Sequence, residues 1–511
     1  MVVSGRRQSP VATCARLLGA LLAANAVACS DAPTRSAPSQ LRAETTRLCA
    51  LVPARDPAAA AFPPAPPAKV FGTDLGFTYE ANGRVPILFG DSWQRIDICP
   101  IQVNDDSLGT LALPAEGWPG FTARQPIPDA ECPAIDFEVD AAGTSFAPIV
   151  LTRWDGVAVP LGPLNTPVAG FFDGQSEWAI FIVGGGQTCS AAESASGAAC
   201  PSELSPQAAG LVCGTAAGES LCVDPTSTRR GDGAQAFYLH VAERVGPAAY
   251  VSRAMFLTNK YLNATVRTVR AFDARDPRRR DYAPGFGALL LWGRPGFDDL
   301  SGAGEEPPYL LVHPLPFARD GERIAFAPQY FTGVSTSGDP LFASSQRDAV
   351  PLYTGEMEPV NQAAVSWVAP IGRWLTIYGG GTVDFGDPEG RSGRGQPVRG
   401  AMVARVAPEA WGPWSDPVPV LTEEQATPDF VCGKRAPAGC LPPPDPLIRP
   451  ACIEAVDRRG GGTLYGANLI DALTRPGRAA DGRASGADVF WDYSTWHPYG
   501  VSLARTHVEI E

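Results

Sequence analysis

Short apolar runs separated by turn-forming residues follow Lys69 along the chain, and they constrain its fold most strongly. The runs are rich in β-branched and aromatic residues and end at Gly, Pro or Asp, which is typical of β-strands. No long stretch has apolar residues at a 3.6-residue period, which argues against α/β barrels and doubly wound sheets. The segments predicted as strands are 86–89, 178–183, 236–241, 249–257, 265–272, 288–292, 309–313, 363–368, 374–378, 401–406, 489–493 and 501–510.

A chain with this many strands must protect their edges, and radial repetition of four-stranded sheets is a common solution. A length of 511 residues, with frequent long insertions, suits five blades better than seven. The internal repeat is faint, and FDGQSEWAIFIVGG and PIGRWLTIYGGG are its clearest copies. The sequence therefore predicts an all-β chain folded as a five-bladed β-propeller with disulfide-pinned loop insertions. A pair of β-sandwiches is the alternative.

The N-terminal segment, residues 1–29, is predicted to be an export signal. Arginines precede an apolar run over 17–28 that is too short to span a membrane as a helix. The run ends Ala-Val-Ala before Cys29, which resembles a bacterial lipoprotein signal. We therefore predict lipidation at Cys29, with simple cleavage and secretion as the alternative.

Two regions follow the predicted export signal. Residues 30–68, rich in Pro, Ala, Ser and Thr, cannot bury a core and are predicted to form a semi-extended stalk. Residues 69–511 form the predicted propeller domain. The expected location is outside the cytoplasm, as a lipoprotein of the outer membrane or cell surface, or as a secreted protein.

The chain has 12 cysteines, and ten remain once Cys14 and Cys29 leave with the signal. An even number in an exported chain predicts disulfides. Three pairs are close enough in sequence for local bridges: Cys189 with Cys200, Cys213 with Cys222, and Cys432 with Cys440. The others are predicted to pair over long range in an order that the sequence leaves open: Cys49, Cys99, Cys132 and Cys452.

The net charge of −13 argues against nucleic acid or an anionic membrane surface as a partner. Contact with a membrane is expected only through the N-terminal lipid, and the protein is expected to be a monomer. The cysteine spacings, without clustered histidines, do not match zinc sites, so no metal ligands are predicted. No cofactor is predicted, although a structural ion in the axial tunnel is an alternative.

Two aspartates on one short hairpin carry the strongest chemical signal. Asp74 lies between Gly72-Thr73 and Leu75-Gly76, and Asp91 follows Gly90. Asn82-Gly83 between them favours a tight hairpin turn. Two carboxylates near one another in a cleft are the minimal equipment for glycoside hydrolysis. The alternative is that both aspartates accept hydrogen bonds from turn amides.

The motifs of the chain resemble a bacterial domain-of-unknown-function family of five-bladed β-propellers, related in architecture to glycosidases that cleave arabinans and fructans. Some members of this family are endo-D-arabinanases. The resemblance covers nearly the whole chain beyond the stalk. The matching segments are GTDLG (72–76), FGDS (89–92), LLWGRPGF (290–297), APQYFTG (327–333), WVAPIGRWLTIYGG (367–380), GPWSDP (412–417) and STWHPYGVSLART (494–506).

The resemblance implies roles for three acidic residues. Asp74 would be the general base or nucleophile, and Asp91 would orient it or raise the pKa of its partner. The family tends to carry Gly-Glu just ahead of the inner strand that precedes the GRW motif. Here Glu356 lies upstream of that strand, while Gln362 lies directly before it. Either Glu356 is the general acid, or Gln362 has replaced the acid and catalysis is lost, because an amide cannot protonate a leaving group.

Other polar and aromatic residues are candidates for sugar binding. Aromatic side chains could stack on sugar rings, while arginine and histidine supply hydrogen bonds. For each aromatic residue, packing within a blade is the alternative. The predicted substrate-binding residues are Trp292, Arg294, Gln362, Tyr378, Trp496, His497 and Tyr499.

The predicted function is a secreted or surface-anchored glycoside hydrolase that cleaves a furanose-rich polysaccharide such as D-arabinan by acid/base catalysis. Two alternatives remain. One is a non-catalytic carbohydrate-binding envelope lipoprotein, and the other is a structural or interaction protein whose loops form the contact surface. The motifs of serine hydrolases, zinc peptidases and phosphate-binding loops are absent from the sequence.

Overall fold

A computed structural model gives the structure of the protein. It describes residues 40–52, 70, 72–93, 105–161, 165–183, 187–188, 212–216, 219–223, 237–258, 260–294, 308–353, 360–380, 400–422, 463–478, 483–496 and 500–511. Regular structure across these ranges is β-sheet with short 3-10 turns at Pro119–Phe121, Asp129–Glu131, Gln346–Asp348, Ala369–Ile371 and Asp471–Leu473. None of the helical segments in the described ranges has the length and apolar character of a membrane span.

The strands are numbered in chain order. Their bounds are β1 (Leu41–Val52), β2 (Gly72–Thr78), β3 (Val85–Trp93), β4 (Asp105–Leu111), β5 (Ile135–Phe137), β6 (Val150–Arg153), β7 (Ala158–Val159), β8 (Thr166–Phe172), β9 (Glu177–Val183), β10 (Gln187–Thr188), β11 (Val212–Ala216), β12 (Glu219–Val223), β13 (Phe237–Gly246), β14 (Ala249–Thr258), β15 (Asn263–Phe272), β16 (Arg280–Pro284), β17 (Ala288–Arg294), β18 (Tyr309–Pro314), β19 (Arg319–Asp320), β20 (Arg323–Ile324), β21 (Gln329–Val334), β22 (Pro340–Ala343), β23 (Val360–Val368), β24 (Arg373–Gly380), β25 (Gly400–Ala407), β26 (Val418–Thr422), β27 (Thr463–Leu469), β28 (Arg475–Arg478), β29 (Ala484–Trp496) and β30 (Gly500–Ile510).

Five of the sheets are the blades of a β-propeller. Their strand orders, written from one edge, are β2-β3-β4-β5, β7-β6-β14-β13-β9-β8, β16-β15-β17-β18-β21-β22, β23-β24-β25-β26 and β1-β30-β29-β27, with β28 added to β29. The five strands β2, β8, β15, β23 and β27 contact one another in a closed ring. They are therefore the inner strands around the axis, and the predicted five-bladed propeller is confirmed. Two smaller sheets, β10-β11-β12 and β19-β20, lie outside the blades.

The fifth blade contains strands from two distant parts of the chain. β1 pairs antiparallel with β30, from Leu41 opposite Ile510 to Val52 opposite Val501. Residues 41–52 lie within the range predicted to form a stalk, yet here they complete a blade. Several side chains of this strand are buried, namely Leu48, Cys49, Leu51 and Val52. This part of the range therefore contributes to a hydrophobic core, which its local composition did not indicate.

A disulfide links this blade to the first one. Cys49 on β1 is bonded to Cys132, between β4 and β5. This pairing resolves two of the long-range cysteines that the sequence left open. The local pairs Cys189 with Cys200 and Cys432 with Cys440 lie outside the described residues. Cys213 and Cys222 are directly opposite each other in the β11–β12 register.

The segments predicted as strands all coincide with strands of the structure, because each blade is built from short, locally recognisable β-runs. The second strand of blades two to five also carries a fully buried tryptophan, namely Trp178, Trp292, Trp374 and Trp491. These large apolar side chains fill the space between neighbouring blades. Each blade therefore buries its face against the next, which is the condition for a stable radial array.

Candidate functional site at the axial end of the inner strands

The five inner strands run in the same direction around the axis and line a central channel. The channel is bordered by Phe77 and Thr78 of β2, Val168–Gly170 of β8, Thr265–Arg267 of β15, Ala364 of β23 and Asn468–Leu469 of β27. Polar residues lie two or three positions before the first of these channel residues on the inner strands. We call them the axial ring: Asp74, Thr166, Asn263, Gln362 and Tyr465.

Asp74 is the carboxylate of the axial ring. Its side chain is buried, with 5% of its area exposed. Tyr465 Oη donates a hydrogen bond to Asp74 Oδ2 over 2.8 Å. Tyr465 belongs to β27 of the fifth blade, so a hydrogen bond between two inner strands fixes the direction of the carboxylate.

Backbone irregularities surround this carboxylate on three strands. Leu75 on β2, Asp91 on β3 and Gly466 on β27 have positive φ angles of 58°, 42° and 66°. The register of the β2–β3, β3–β4 and β27–β29 pairs shifts at these places. Bulges re-aim side chains and are frequent next to active sites, and left-handed φ values at non-glycine residues are costly. The strained backbone is therefore concentrated around Asp74.

Gly90 and Asp91 lie on β3, the strand that pairs with β2 beside Asp74. Asp74 is opposite Gly90 in the β2–β3 register. A β-carbon on Gly90 would lie 3.0 Å from Asp74 Oδ1 and 2.5 Å from Thr166 Oγ1. The absence of a side chain at position 90 thus allows Asp74 and Thr166 to approach the same point from two blades.

A third carboxyl group, which the sequence prediction missed, lies behind Asp91. Asp106 on β4 is buried, with 2% of its area exposed. Its Oδ1 accepts hydrogen bonds from Thr166 Oγ1 at 2.9 Å and from the Asp91 backbone N–H at 3.3 Å. Burial, together with the neighbouring Asp91 and Asp74 carboxylates, raises the pKa of Asp106 well above its usual value. Burial at this place therefore favours the protonated form of Asp106.

A fourth carboxyl group lies on the fifth blade. Asp492 on β29 is fully buried, and Asn468 Nδ2 donates to its Oδ1 over 3.2 Å. Desolvation raises its pKa well above the usual value. Both oxygens would lie 2.9 Å from a β-carbon on Gly76, so Gly76 makes room for this acid beside β2.

Asp106 and Asp492 could have been recognised only weakly from the sequence. Asp106 follows Asp105 at the start of a run, DDSLGTL, in which small and apolar residues alternate. Asp492 lies within the apolar run VFWDYSTW. An aspartate inside an apolar strand indicates a buried acid, but nothing local shows that it lies beside the axis.

Three predicted polar residues lie in or beside the axial ring. Gln362 is on β23 with 6% of its area exposed, and its Oε1 would lie 2.8 Å from a β-carbon on Gly466. Arg294, at the end of β17, is opposite Asn263 in the β15–β17 register and is buried. The structure thus brings Asp74, Gln362 and Arg294 to the same end of the inner strands.

Two predicted sugar-stacking residues lie in the blade interiors instead. Trp292 is 1% exposed, packs 4.9 Å from Trp374 between ring centres and donates its Nε1 hydrogen to Ala410 O over 3.0 Å. Tyr378 is fully buried and accepts a hydrogen bond from Arg405 Nε over 2.7 Å. Of the two roles considered for these aromatics, the structure favours packing, because closed cores surround both rings.

The remaining predicted site residues cannot be placed. Glu356, His497, Tyr499 and Cys29 lie outside the described residues, and of Trp496 only the backbone pairing with Thr463 is described. Among the residues that the structure describes, no three His, Cys, Asp or Glu side chains form a group that could hold a metal ion.

Comparison of the sequence with known protein families gives no match, and comparison with curated proteins gives none either. The family resemblance therefore stays a prediction. The chain is similar to solved structures at low sequence identity. A candidate hydrolase from Bacteroides ovatus has 11% identity and a TM-score of 0.38, with 86% of each chain covered.

Two further solved structures are similar to this chain. The α-L-arabinofuranosidase from Podospora anserina, in complex with cellotriose, has 10% identity and a TM-score of 0.36, with 91% of this chain and 96% of that chain covered. A mutant of the Trypanosoma rangeli sialidase that displays trans-sialidase activity has 7% identity and a TM-score of 0.32, with 92% and 60% covered. At these scores neither similarity bears on the activity of this chain.

Proposed function

We propose that the protein is an exported glycoside hydrolase that cleaves a furanose-rich polysaccharide, with D-arabinan as the first substrate to test. The observation that carries the proposal is the axial ring. It presents the Asp74 carboxylate, held by Tyr465 at 2.8 Å, among hydroxyl and amide side chains from the other blades. Concave sites with a few convergent polar groups are typical of ligand sites, and an oriented carboxylate is what activation of a water molecule requires.

In this proposal Asp74 acts as the general base and Glu356 as the general acid. The base removes a proton from water as it attacks the anomeric carbon, and the acid protonates the leaving oxygen, so the configuration at that carbon is inverted. The assignment of Asp74 is supported by its fixed orientation and by the bulges around it. The assignment of Glu356 is supported only by its position ahead of β23 in the sequence.

A non-catalytic carbohydrate-binding protein is the second candidate, and one observation favours it. The fourth blade contributes Gln362, an amide, to the axial ring. An amide can bind a sugar hydroxyl but cannot donate a proton to a leaving group. If no acid from the segment before β23 reaches the axis, the ring would bind sugar without cleaving it.

The test measures reducing-sugar release and calorimetric binding with arabinan, arabinogalactan and fructan. We expect release from one polymer, a loss of about 100-fold or more in Asp74→Asn and in Glu356→Gln, and no loss in Asp136→Asn, an exposed aspartate of the first blade. Binding without release would favour the second candidate. If every polymer is neither cleaved nor bound, that result would contradict both candidate functions.

A further inference from the structure

Asp106 stands out among the buried acids because its contacts lead to the proposed catalytic carboxylate. Its Oδ1 accepts two hydrogen bonds, from Thr166 of the second blade and from the backbone of Asp91. Its Oδ2 is buried and has no hydrogen-bond partner among the described residues. A carboxylate in that position would leave one charged oxygen unsolvated, whereas the neutral acid avoids this cost.

The residue that Asp106 holds is strained. Asp91 has a φ of 42° in a register shift of β3, a conformation that surrounding contacts must maintain. The other side of this bulge is fixed by a buried chain of hydroxyl groups. Thr73 Oγ1 lies 2.7 Å from Ser92 Oγ, which lies 2.6 Å from Ser107 Oγ. Asp106 is therefore the acceptor at the Asp91 end of the bulge, while the hydroxyl chain holds the Ser92 end.

The bulge connects directly to Asp74. Thr73 Oγ1 donates to Gly90 O over 3.0 Å, and a β-carbon on Gly90 would meet both Asp74 Oδ1 and Thr166 Oγ1. Thr166 in turn donates to Asp106. The position of Asp106 thus sets both surfaces against which the Asp74 carboxylate lies, namely the bulge and the Thr166 hydroxyl.

We propose that Asp106 is a positioning residue for Asp74, and that it holds the Asp91 bulge and Thr166 in place through the hydrogen bonds that its Oδ1 accepts. This inference rests on the proposed function for its kinetic test. Asp91 on β3 and Asp74 on β2 are the titratable groups that face Asp106, and β8 faces it with Thr166. Ionisation of Asp106 would add a negative charge beside both carboxylates, and like-charge repulsion would disturb the bulge.

The test compares Asp106→Asn, Asp106→Ala and Thr166→Val with wild type across pH. Asparagine keeps the acceptor oxygen and stays neutral, so we expect kcat within about threefold at the optimum and an alkaline limb moved up by about one pH unit or more. Alanine removes the acceptor, and we expect kcat to fall about tenfold or more with KM nearly unchanged. Thr166→Val removes the hydroxyl group that bonds to Asp106 and keeps the shape of the side chain. It should lower kcat in the same way, and it tests the proposal if Asp106→Ala does not fold.

Asp105→Asn is the matched control, because the same chemical change is made one residue away on β4. An alkaline limb of Asp106→Asn that coincides with wild type, or a full kcat in Asp106→Ala, would overturn the proposal. Crystal structures give a readout independent of activity. We expect the hydrogen bond from Tyr465 to Asp74, 2.8 Å long in the wild type, to be kept in Asp106→Asn and lost in Asp106→Ala.

These readouts separate the two proposals. If the wild type hydrolyses no polymer but the structures change as expected, the positioning role stands and the proposed function fails. If hydrolysis is found but neither the pH profile nor the Tyr465–Asp74 contact responds to Asp106, the positioning role fails and the proposed function stands.

Discussion

Single carboxyl groups at the axial end have different surroundings, and these differences decide their chemistry. Asp74 has one oxygen held by a tyrosine hydroxyl, while burial raises the pKa of Asp106 and of Asp492 well above the usual value. In the proposed function, the oriented Asp74 carboxylate takes part in the reaction. A buried neutral acid instead acts as part of the framework. The same residue type therefore has two roles around one axis.

Asp492 gives a prediction about stability. Because burial raises its pKa in the folded protein, the folded state binds a proton that the unfolded state has released above about pH 4. The unfolding free energy therefore falls as pH rises, from the unfolded pKa up to the folded pKa. Asp492→Asn removes this loss. We expect its stability relative to wild type to grow with pH, by about 1.4 kcal/mol per pH unit within that window.

Urea unfolding at several pH values between 4 and 8 measures this effect. Asp416→Asn, an exposed aspartate, is the control and should follow the wild type at every pH. A constant difference between Asp492→Asn and wild type would show that Asp492 is not the source of the pH dependence.

Among the elements, three strands around Asp74 have register shifts, namely β2, β3 and β27. Such bulges change the direction in which side chains point. A regular β2–β3 ladder would place successive side chains on opposite faces, whereas here the register shifts on both sides of Asp74 and the φ of Asp91 is 42°. Glycine is required where two blades approach the same point. Gly90 is such a place, between Asp74 and Thr166.

Gly90→Ala tests this requirement. The new methyl group would lie 2.5 Å from Thr166 Oγ1, so the bulge or the hydroxyl must move. We expect a loss of about 1–3 kcal/mol in unfolding free energy and a weakened site. Calorimetry of unfolding measures the first effect and ligand binding the second. Gly117→Ala, with no atoms within 4 Å of the new methyl group, is the matched control, and an equal effect of both substitutions would contradict the argument.

At the scale of the whole molecule, Arg267 ties three blades together near the channel. It lies on β15, and its Nε is 2.8 Å from Asp471 Oδ2 of the fifth blade. Its Nη2 donates to Leu469 O over 3.3 Å, and its Nε donates to Ser366 Oγ of the fourth blade over 3.3 Å. Within the described residues, the chain itself is the only covalent link between these inner strands. Contacts such as those of Arg267 therefore help to hold the ring closed.

Arg267→Gln should therefore destabilise the propeller. We expect a loss of about 2–3 kcal/mol, since Asp471 and two blade contacts lose their partner in a partly buried place. Arg270→Gln is the matched control on the same strand. Arg270 pairs with Asp281, both largely exposed, and its removal should cost about 0.5 kcal/mol or less. Equal costs for both variants, measured by urea unfolding, would show that Arg267 has no special role between the blades.

The sequence was sufficient to predict many of the strands, because short β-branched runs and turn residues act locally, and its length favoured five blades over seven. It also pointed to Asp74, whose glycine-flanked position is visible in a few residues and whose catalytic role stays a prediction. It did not reveal that Leu41–Val52 completes the fifth blade, since the partner strand β30 is more than 400 residues away.

The tertiary structure was needed to show which residues lie together at the candidate site. Tyr465, Thr166 and Asp106 reach Asp74 or its neighbours from strands that are separated along the chain, and no local pattern encodes such a meeting. The tertiary structure was also needed for Trp292 and Tyr378. The sequence makes them candidates for sugar stacking, whereas in the structure both side chains are buried. Local propensity determines the strands, whereas the closure of the ring determines which side chains share its axis.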